Sequence, residues 1–189
     1  QTGDFAGVDA RLRDAERWLE ETAGDPDRSA SGTSIVEESE GRRLPASIAI
    51  HRAGYCLVTG DVAGTLHHAR RALDFVVADD HLAHGSATAL LGLASWTLGD
   101  LSAARDLYGE SIIRLQRAGH FSDAMGCALA LADIQVAQGD LNEARHTFEG
   151  ALRATRQPGA PALRGTVDMH IGMSELNIEH NDLDGALEC

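Results

Sequence analysis

The sequence predicts an all-α protein, a right-handed superhelix of antiparallel helical hairpins with a period of about 40 residues. Three Gly-Asp pairs and one Asn-Asp pair follow one another at intervals of 39, 40 and 42 residues. After each pair, small or apolar residues recur every three or four positions, as they do on one face of a helix. Aromatic residues make up only 4% of the chain, which suits closely packed helices better than strands.

The repeated pair is interpreted as the turn inside each hairpin. A helix that ends in a left-handed residue favours Gly, or Asn as second choice, because both tolerate a positive φ. The Asp that follows can accept hydrogen bonds from the free N–H groups of the next helix and favours its positive dipole end. The predicted turn residues are Gly60, Gly99, Gly139 and Asn181, followed by Asp61, Asp100, Asp140 and Asp182.

Small residues flank these turns at fixed distances. Seven positions before the turn residue stand Ala53, Gly92, Ala132 and Ser174, and twelve positions after each of these stand Thr65, Ala104, Ala144 and Ala186. We expect this pairing to bring the two helices of a hairpin close together.

The hairpins are predicted at roughly 45–77, 82–117, 121–156 and 161–189, after a lone second helix at 4–21. Residues 24–43 are rich in helix breakers, and we predict an insertion or loop there, with a short helix near 35–39. We expect one helical-repeat domain over 1–189. Both ends interrupt a repeat, which indicates a fragment of a longer protein.

The charged residues exclude several functions. The formal net charge is −13 and all 16 basic residues are arginine, so a P-loop or a lysine Schiff base cannot form. The acidity argues against direct nucleic-acid binding by this chain. The sequence contains no apolar stretch long enough for a bilayer and no secretory signal, and its three cysteines lack CxxC spacing. These features favour a cytoplasmic protein that is not bound to a membrane.

One repeat resembles the tetratricopeptide repeat closely enough to compare positions. Leu91-Gly92, the turn at Gly99, and then Ala104, Tyr108 and Ser111 occupy positions typical of that family. Tetratricopeptide units are about 34 residues long. The period of about 40 here is therefore a departure, which predicts longer helices or longer connections.

Longer stretches resemble the helical-repeat region of large ATP-dependent LuxR-type transcriptional regulators, the family of the maltose-regulon activator. These stretches are 42–50, 60–65, 89–101, 129–141, 164–170 and 173–184. The resemblance implies a sensor and oligomerisation module that binds a small-molecule inducer or a protein partner in its concave groove. It also implies that ATP and DNA are bound by other domains of the parent protein, with no cofactor in this chain. The alternative is a protein-interaction scaffold, including self-association, with no small-molecule ligand.

Acidic residues mark a candidate ligand groove. Asp133 and Glu175 each stand six positions before a turn residue, and Asp168 stands thirteen before one. With Trp96, His51 and Gln135 nearby, these side chains could bind a sugar-like or cationic ligand. The alternative is that the acids are solvated or cap backbone groups.

Metal binding and catalysis have weaker support in the sequence. His67-His68 and the pair His81 and His84 belong to no HExxH or Cys/His set, so we predict no metal site. No nucleophile accompanies a positioned base, so we predict that the chain is not an enzyme.

Overall fold

The computed structural model describes residues 7–23, 35–155, 165–179 and 181–188, and these ranges contain helices and turns without a strand. The helices are α1 (Val8–Ala23), α2 (Ile35–Val58), α3 (Val62–Phe75), α4 (His81–Thr97), α5 (Leu101–Arg117), α6 (Phe121–Ala137), α7 (Leu141–Thr155), α8 (Thr166–Glu179) and α9 (Leu183–Glu188). Helices that are consecutive in the chain pack together, α2 with α3, α6 with α7 and α8 with α9. The predicted all-α fold of helical hairpins is confirmed.

The chain divides into two compact units, Gln1–Ala94 and Ser95–Cys189, and the division falls inside α4. The first unit contains α1 to α3 and most of α4, and the second contains the end of α4 and α5 to α9. A single domain over 1–189 stays a prediction.

All four predicted turn residues have the left-handed backbone, which confirms the interpretation of the repeated pair. The φ angles are 81° at Gly60, 82° at Gly99, 83° at Gly139 and 58° at Asn181. The amide of each following aspartate donates to the carbonyl five residues earlier, over 2.8 or 2.9 Å. The turn residue itself donates to the carbonyl three residues earlier, which completes the Schellman motif that ends a helix.

The aspartates then begin the next helices, as predicted. In three turns a carboxylate Oδ1 accepts from the backbone N–H three residues later: Asp61 from Gly64 at 2.8 Å, Asp100 from Ala103 at 3.0 Å and Asp182 from Gly185 at 3.0 Å. The carboxylate of Asp140 pairs with Arg105 of α5 and so links two hairpins.

A further left-handed turn at Gly119 joins α5 to α6. Its φ is 78°, and the amide of His120 donates to the carbonyl of Leu115 at 2.9 Å, as in the other turns. This turn was not predicted because histidine, rather than aspartate, follows the glycine. The His120 side chain caps no backbone N–H of α6, and its Nδ1 lies 3.2 Å from Oδ2 of Asp123 in the first turn of that helix.

Helix α2 corrects part of the predicted loop. From Ile35 the chain is helical as far as Val58, so the short helix predicted near 35–39 is part of a longer one and a loop over 40–43 is wrong. Pro45 lies inside this helix, where proline removes a backbone hydrogen bond at a cost of about 3 kcal/mol. Ala49 and Ala53 are buried at helical spacing beyond it, and burial of this face stabilises the helix. Residues 24–34, the start of the helix predicted from 4, the end of the hairpin predicted to 156 and the start of the one predicted from 161 lie outside the described residues.

The paired small residues lie where helices cross. In the first unit, Thr65 of α3 and Ala53 of α2 are fully buried, and the Thr65 hydroxyl donates to the Ala53 carbonyl oxygen at 3.3 Å. In the second unit, Ala132 of α6 and Ala144 of α7 are fully buried in one apolar core. The other buried members of that core are Met125, Ala128, Phe148, Ala151, Met169 and Leu176.

Candidate functional site

A cleft of about 400 Å³ in the second unit brings together two of the predicted ligand residues. We call it the acidic cleft. Its lining residues are Asp133, Val136, Phe148, Gly172, Glu175, Leu176, Ile178 and Glu179. Asp133 and Val136 come from α6, and the carboxylates of Glu175 and Glu179 come from α8.

The repeat register explains why Asp133 and Glu175 meet. Each stands six positions before its left-handed turn residue, Gly139 or Asn181, so the two occupy equivalent places on the first helices of neighbouring hairpins. Helices α6 and α8 are in contact. Equivalent positions on adjacent, similarly oriented helices face the same side of a stack.

The electrostatics of the acidic cleft favour a positive charge. Burial raises the pKa of Asp133, and the negative charge of Glu175 raises it further. Both effects disfavour the ionised carboxylate. A cation between the two groups would relieve the repulsion.

The floor of the acidic cleft is apolar and closely packed. Phe148 of α7 is 2% exposed, and its ring lies directly against Gly172 of α8. A Cβ atom at Gly172 would overlap this ring. Val136 and Ile178 remain partly exposed at the rim, 39% and 56%. The acidic cleft therefore offers apolar surface beside its charges.

The other predicted ligand residues do not line this cleft. Gln135 is buried, and its amide oxygen accepts from the Thr147 hydroxyl at 2.9 Å, so it joins α6 to α7. Asp168 is exposed in the first turn of α8. Trp96 is half-buried and meets the ring of Tyr108 edge-on, with 6.5 Å between the ring centroids. Their part in ligand binding stays a prediction.

His51 lies in the first unit. It is exposed on α2, where its Nδ1 is 2.7 Å from the carbonyl oxygen of Ser47. Its predicted role in ligand binding likewise remains untested.

Glu179 is a cleft residue that the sequence analysis missed. It follows Glu175 by four positions, and residues four apart in a helix share a face. That spacing was the available signal.

A second, larger cavity of about 890 Å³ lies in the first unit. We call it the Arg52 cavity, and its lining includes Asp9, Glu16, Leu19, Pro45, Ile48, Ala49, Arg52, Tyr55, Cys56, His68, Arg71 and Phe75. The side chain of Arg52 is central to it, although the residue is only 8% exposed. The sequence did contain a signal, because Arg52 stands eight positions before its turn, where the other repeats have Leu91, Leu131 and Met173.

Helix α1 supplies the partners of Arg52. The guanidinium donates from Nε to Glu16 Oε1 at 3.0 Å and from Nη2 to Glu16 Oε2 at 2.7 Å. Its Nη1 donates to Asp9. The hydrogen bond to Glu16 is the main reason why the pKa of Arg52 is raised. Such forked pairing is the strongest mode of carboxylate recognition by arginine.

A metal site and a membrane-spanning helix have no support in the described parts of the chain. No group of three His, Cys, Asp or Glu residues is placed there to hold a metal ion. Within the same ranges every helix is too short or too polar to cross a bilayer.

The chain is similar to a known family of helical repeats and to a solved structure. The family model described as the MalT-like TPR region matches residues 46–189. The crystal structure of BtubC (BKLC) from P. vanneervenii is similar to this chain with a TM-score of 0.70 and 16% sequence identity. The similarity covers 98% of this chain and 73% of that one, and at this identity it shows the fold alone. None of the curated proteins compared with the chain matches it.

Proposed function

The chain belongs to the family of MalT-like TPR regions, and from that premise we propose that it is a sensor module that binds a small positively charged molecule in the acidic cleft. Helical-repeat regions of this kind are generally not catalytic. The observation that carries the proposal is that Asp133 of α6 and Glu175 of α8, from neighbouring hairpins, line one cleft.

A cation fits this cleft better than a neutral sugar does. Both ligands could hydrogen-bond to carboxylates, but only a cation removes the repulsion that contributes to the raised pKa of Asp133. The exposed parts of Val136 and Ile178 can cover the apolar part of an alkylamine or polyamine. The volume of about 400 Å³ suits a molecule of that size.

Binding at this place supports a regulatory role because it joins two repeats. A ligand held by Asp133 and Glu175 contacts both α6 and α8, so it stabilises whichever arrangement of the two hairpins brings the carboxylates together. In a longer regulator of this family, that preference would be passed to the ATP-binding and DNA-binding parts that the family resemblance implies. The module itself acts as a binding protein rather than an enzyme.

Calorimetric titration tests the proposal. We expect spermidine and putrescine to bind, and maltotriose and glycerol of the same concentration not to bind. Asp133→Asn and Glu175→Gln should each weaken polyamine binding about tenfold, the equivalent of about 1.4 kcal/mol. Glu143→Gln is the matched control, because it removes the same charge from an exposed site on α7 outside the cleft. Equal losses in all three variants would mean that only the overall negative charge attracts the ligand.

A protein-interaction scaffold is the second candidate, and one observation favours it. Val167, Ile171 and Ile178 are exposed by 68%, 51% and 56% at helical spacing along α8. Exposed apolar side chains on one helix face are typical of a surface that binds a partner. A mass that rises with concentration in light scattering, together with no response to polyamines, would favour this candidate over the sensor.

A further inference from the structure

The Arg52 cavity is separate from the acidic cleft in its residues and in its charge. Its volume of about 890 Å³ lies within the range of small-molecule sites, about 300–1,000 Å³. Apolar side chains form much of its wall, namely Leu19, Pro45, Ile48, Ala49 and Phe75. A cavity of this size with one buried arginine is suited to a molecule with one charged group and an apolar body.

The face that α2 and α3 present to this cavity is basic, although the whole chain is acidic. Arg52 of α2 and Arg71 of α3 line it together with His68. Asp61, the acidic residue on the same face, uses its carboxylate to cap α3. The carboxylates that balance Arg52 come from α1 instead.

The pKa of Glu16 in α1 reflects the positive electrostatic potential at this face. The hydrogen bond from Arg52 lowers the pKa of Glu16 against the effect of burial. The charges of Arg52 and Arg71 lower it further, and His68 adds to them only when protonated, since burial lowers the pKa of His68. A carboxylate at this point is therefore stabilised by two guanidinium groups.

Glu16 is held there by a helix with little apolar anchoring. Among residues 8–21, for which exposure is described, none is buried, and Trp18 is 50% exposed. The fork between Arg52 and Glu16 and the bond to Asp9 attach α1 to α2. Elements with few buried apolar contacts open at low free-energy cost.

We propose that the α2–α3 face binds a small-molecule carboxylate with an apolar body, and that Glu16 occupies the place of the ligand carboxylate in this structure. The ligand carboxylate takes the fork of Arg52, and its apolar body packs against Pro45, Ile48 and Phe75. Helix α1 is then a built-in competitor, and ligand binding releases Glu16. This inference is independent of the polyamine proposal, since it concerns the other unit and a ligand of opposite charge.

Competition lowers the apparent affinity of the site, which equals the intrinsic affinity multiplied by the fraction of molecules in which the site is open. Glu16→Gln removes the competing charge and keeps the size of the side chain, so it raises that fraction. Loss of an arginine from the face has the opposite effect on a carboxylate ligand.

The experiment is a calorimetric titration of the whole chain with octanoate, and with octanol and octylammonium as neutral and positive analogues. Glu16→Gln should tighten octanoate binding about tenfold relative to the unchanged chain. Arg71→Gln, at an exposed position where folding is not at risk, should weaken it about threefold or more. Glu143→Gln, an exposed carboxylate of α7, is the matched control and should leave binding unchanged.

Two results would overturn this inference. One is equal octanoate affinity in the Glu16→Gln variant and the unchanged chain. The other is octanol binding as tight as octanoate, which would leave an apolar cavity without anion recognition. Asp133→Asn should not alter octanoate binding, so failure of the polyamine proposal and failure of this one are distinguishable.

Discussion

Residues at equivalent repeat positions differ in the partners that they contact in this chain. Arg105 and Arg145 both stand six positions after a turn glycine, and both reach the next hairpin. Arg105 pairs with Asp140, whereas Arg145 donates from Nη2 to Asn177 Oδ1 at 2.6 Å. Asp133 and Glu175 show the opposite case, in which equivalent positions keep the same charge and create a site.

The raised pKa of Asp133 predicts how stability responds to pH. The folded state holds this proton more tightly than the unfolded state, so ionisation of Asp133 costs stability as pH rises through the folded pKa. Asp133→Asn should therefore melt at a higher temperature than the unchanged chain at pH 7. The difference should vanish as pH falls below the ordinary carboxyl pKa of about 3.9. Because the Asp133 residue as a whole is exposed, solvent screening keeps the effect small.

Thermal melts between neutral and acid pH check this expectation, with Asp168→Asn as the comparison. Asp168 lies in the first turn of α8, where a negative charge favours the helix, so its loss should lower the melting temperature. A lower melting temperature in Asp133→Asn as well would contradict the assignment of repulsion to the acidic cleft.

Each hairpin is built from a left-handed turn, an aspartate that begins the next helix, and small residues where the helices cross. The crossing in the first unit is close enough for the Thr65 hydroxyl to reach a backbone oxygen of the facing helix. Between α7 and α8, close approach depends on Gly172, over which the Phe148 ring lies. Packing of this kind tolerates little added volume.

Two glycine-to-alanine changes separate packing from helix propensity. Gly172→Ala adds a methyl group against the buried Phe148 ring and should destabilise the chain by about 1–3 kcal/mol. Gly126→Ala, in α6, meets nothing within 4 Å and should stabilise it by about 0.5–1 kcal/mol. Urea unfolding of both variants measures the difference. A stabilising Gly172→Ala would show that the ring moves aside at little cost.

At the scale of the whole molecule, charge is the dominant collective property. The chain carries 29 acidic side chains against 16 arginines, a formal net charge of −13. Like charges at this density repel one another in the compact state. Several arginines reduce the repulsion locally through ion pairs, among them Arg52 and Arg105.

Added salt should stabilise the folded chain. At 0.5 M sodium chloride the screening length is only a few ångströms, so repulsion between distant carboxylates is largely removed (about 8 Å at 0.15 M). The melting temperature should rise by several degrees from low to high salt, as measured by circular dichroism. A lower melting temperature at high salt would mean that screening weakens ion pairs, such as that of Arg52 with Glu16, more than it weakens the net repulsion.

The turns and the acidic pair were predictable because their causes are local or periodic. A positive φ at Gly60 or Asn181 depends on the residue itself, and the aspartate cap at Asp61 depends on neighbours three positions away. Asp133 and Glu175 were found because a regular repeat carries equivalent positions to the same side. The turn at Gly119 was not predicted because histidine rather than aspartate begins the next helix.

The helices, most of their boundaries and the register that aligns one hairpin with the next follow from the sequence, since these depend on backbone preferences over a few residues. Tertiary packing is the reason that α2 continues through Pro45 and that Gln135 bonds to Thr147 of α7. It also decided that Arg52 meets Glu16, 36 positions away, above a cavity. Contacts over such distances depend on how helices pack, and no spacing within one helix specifies them.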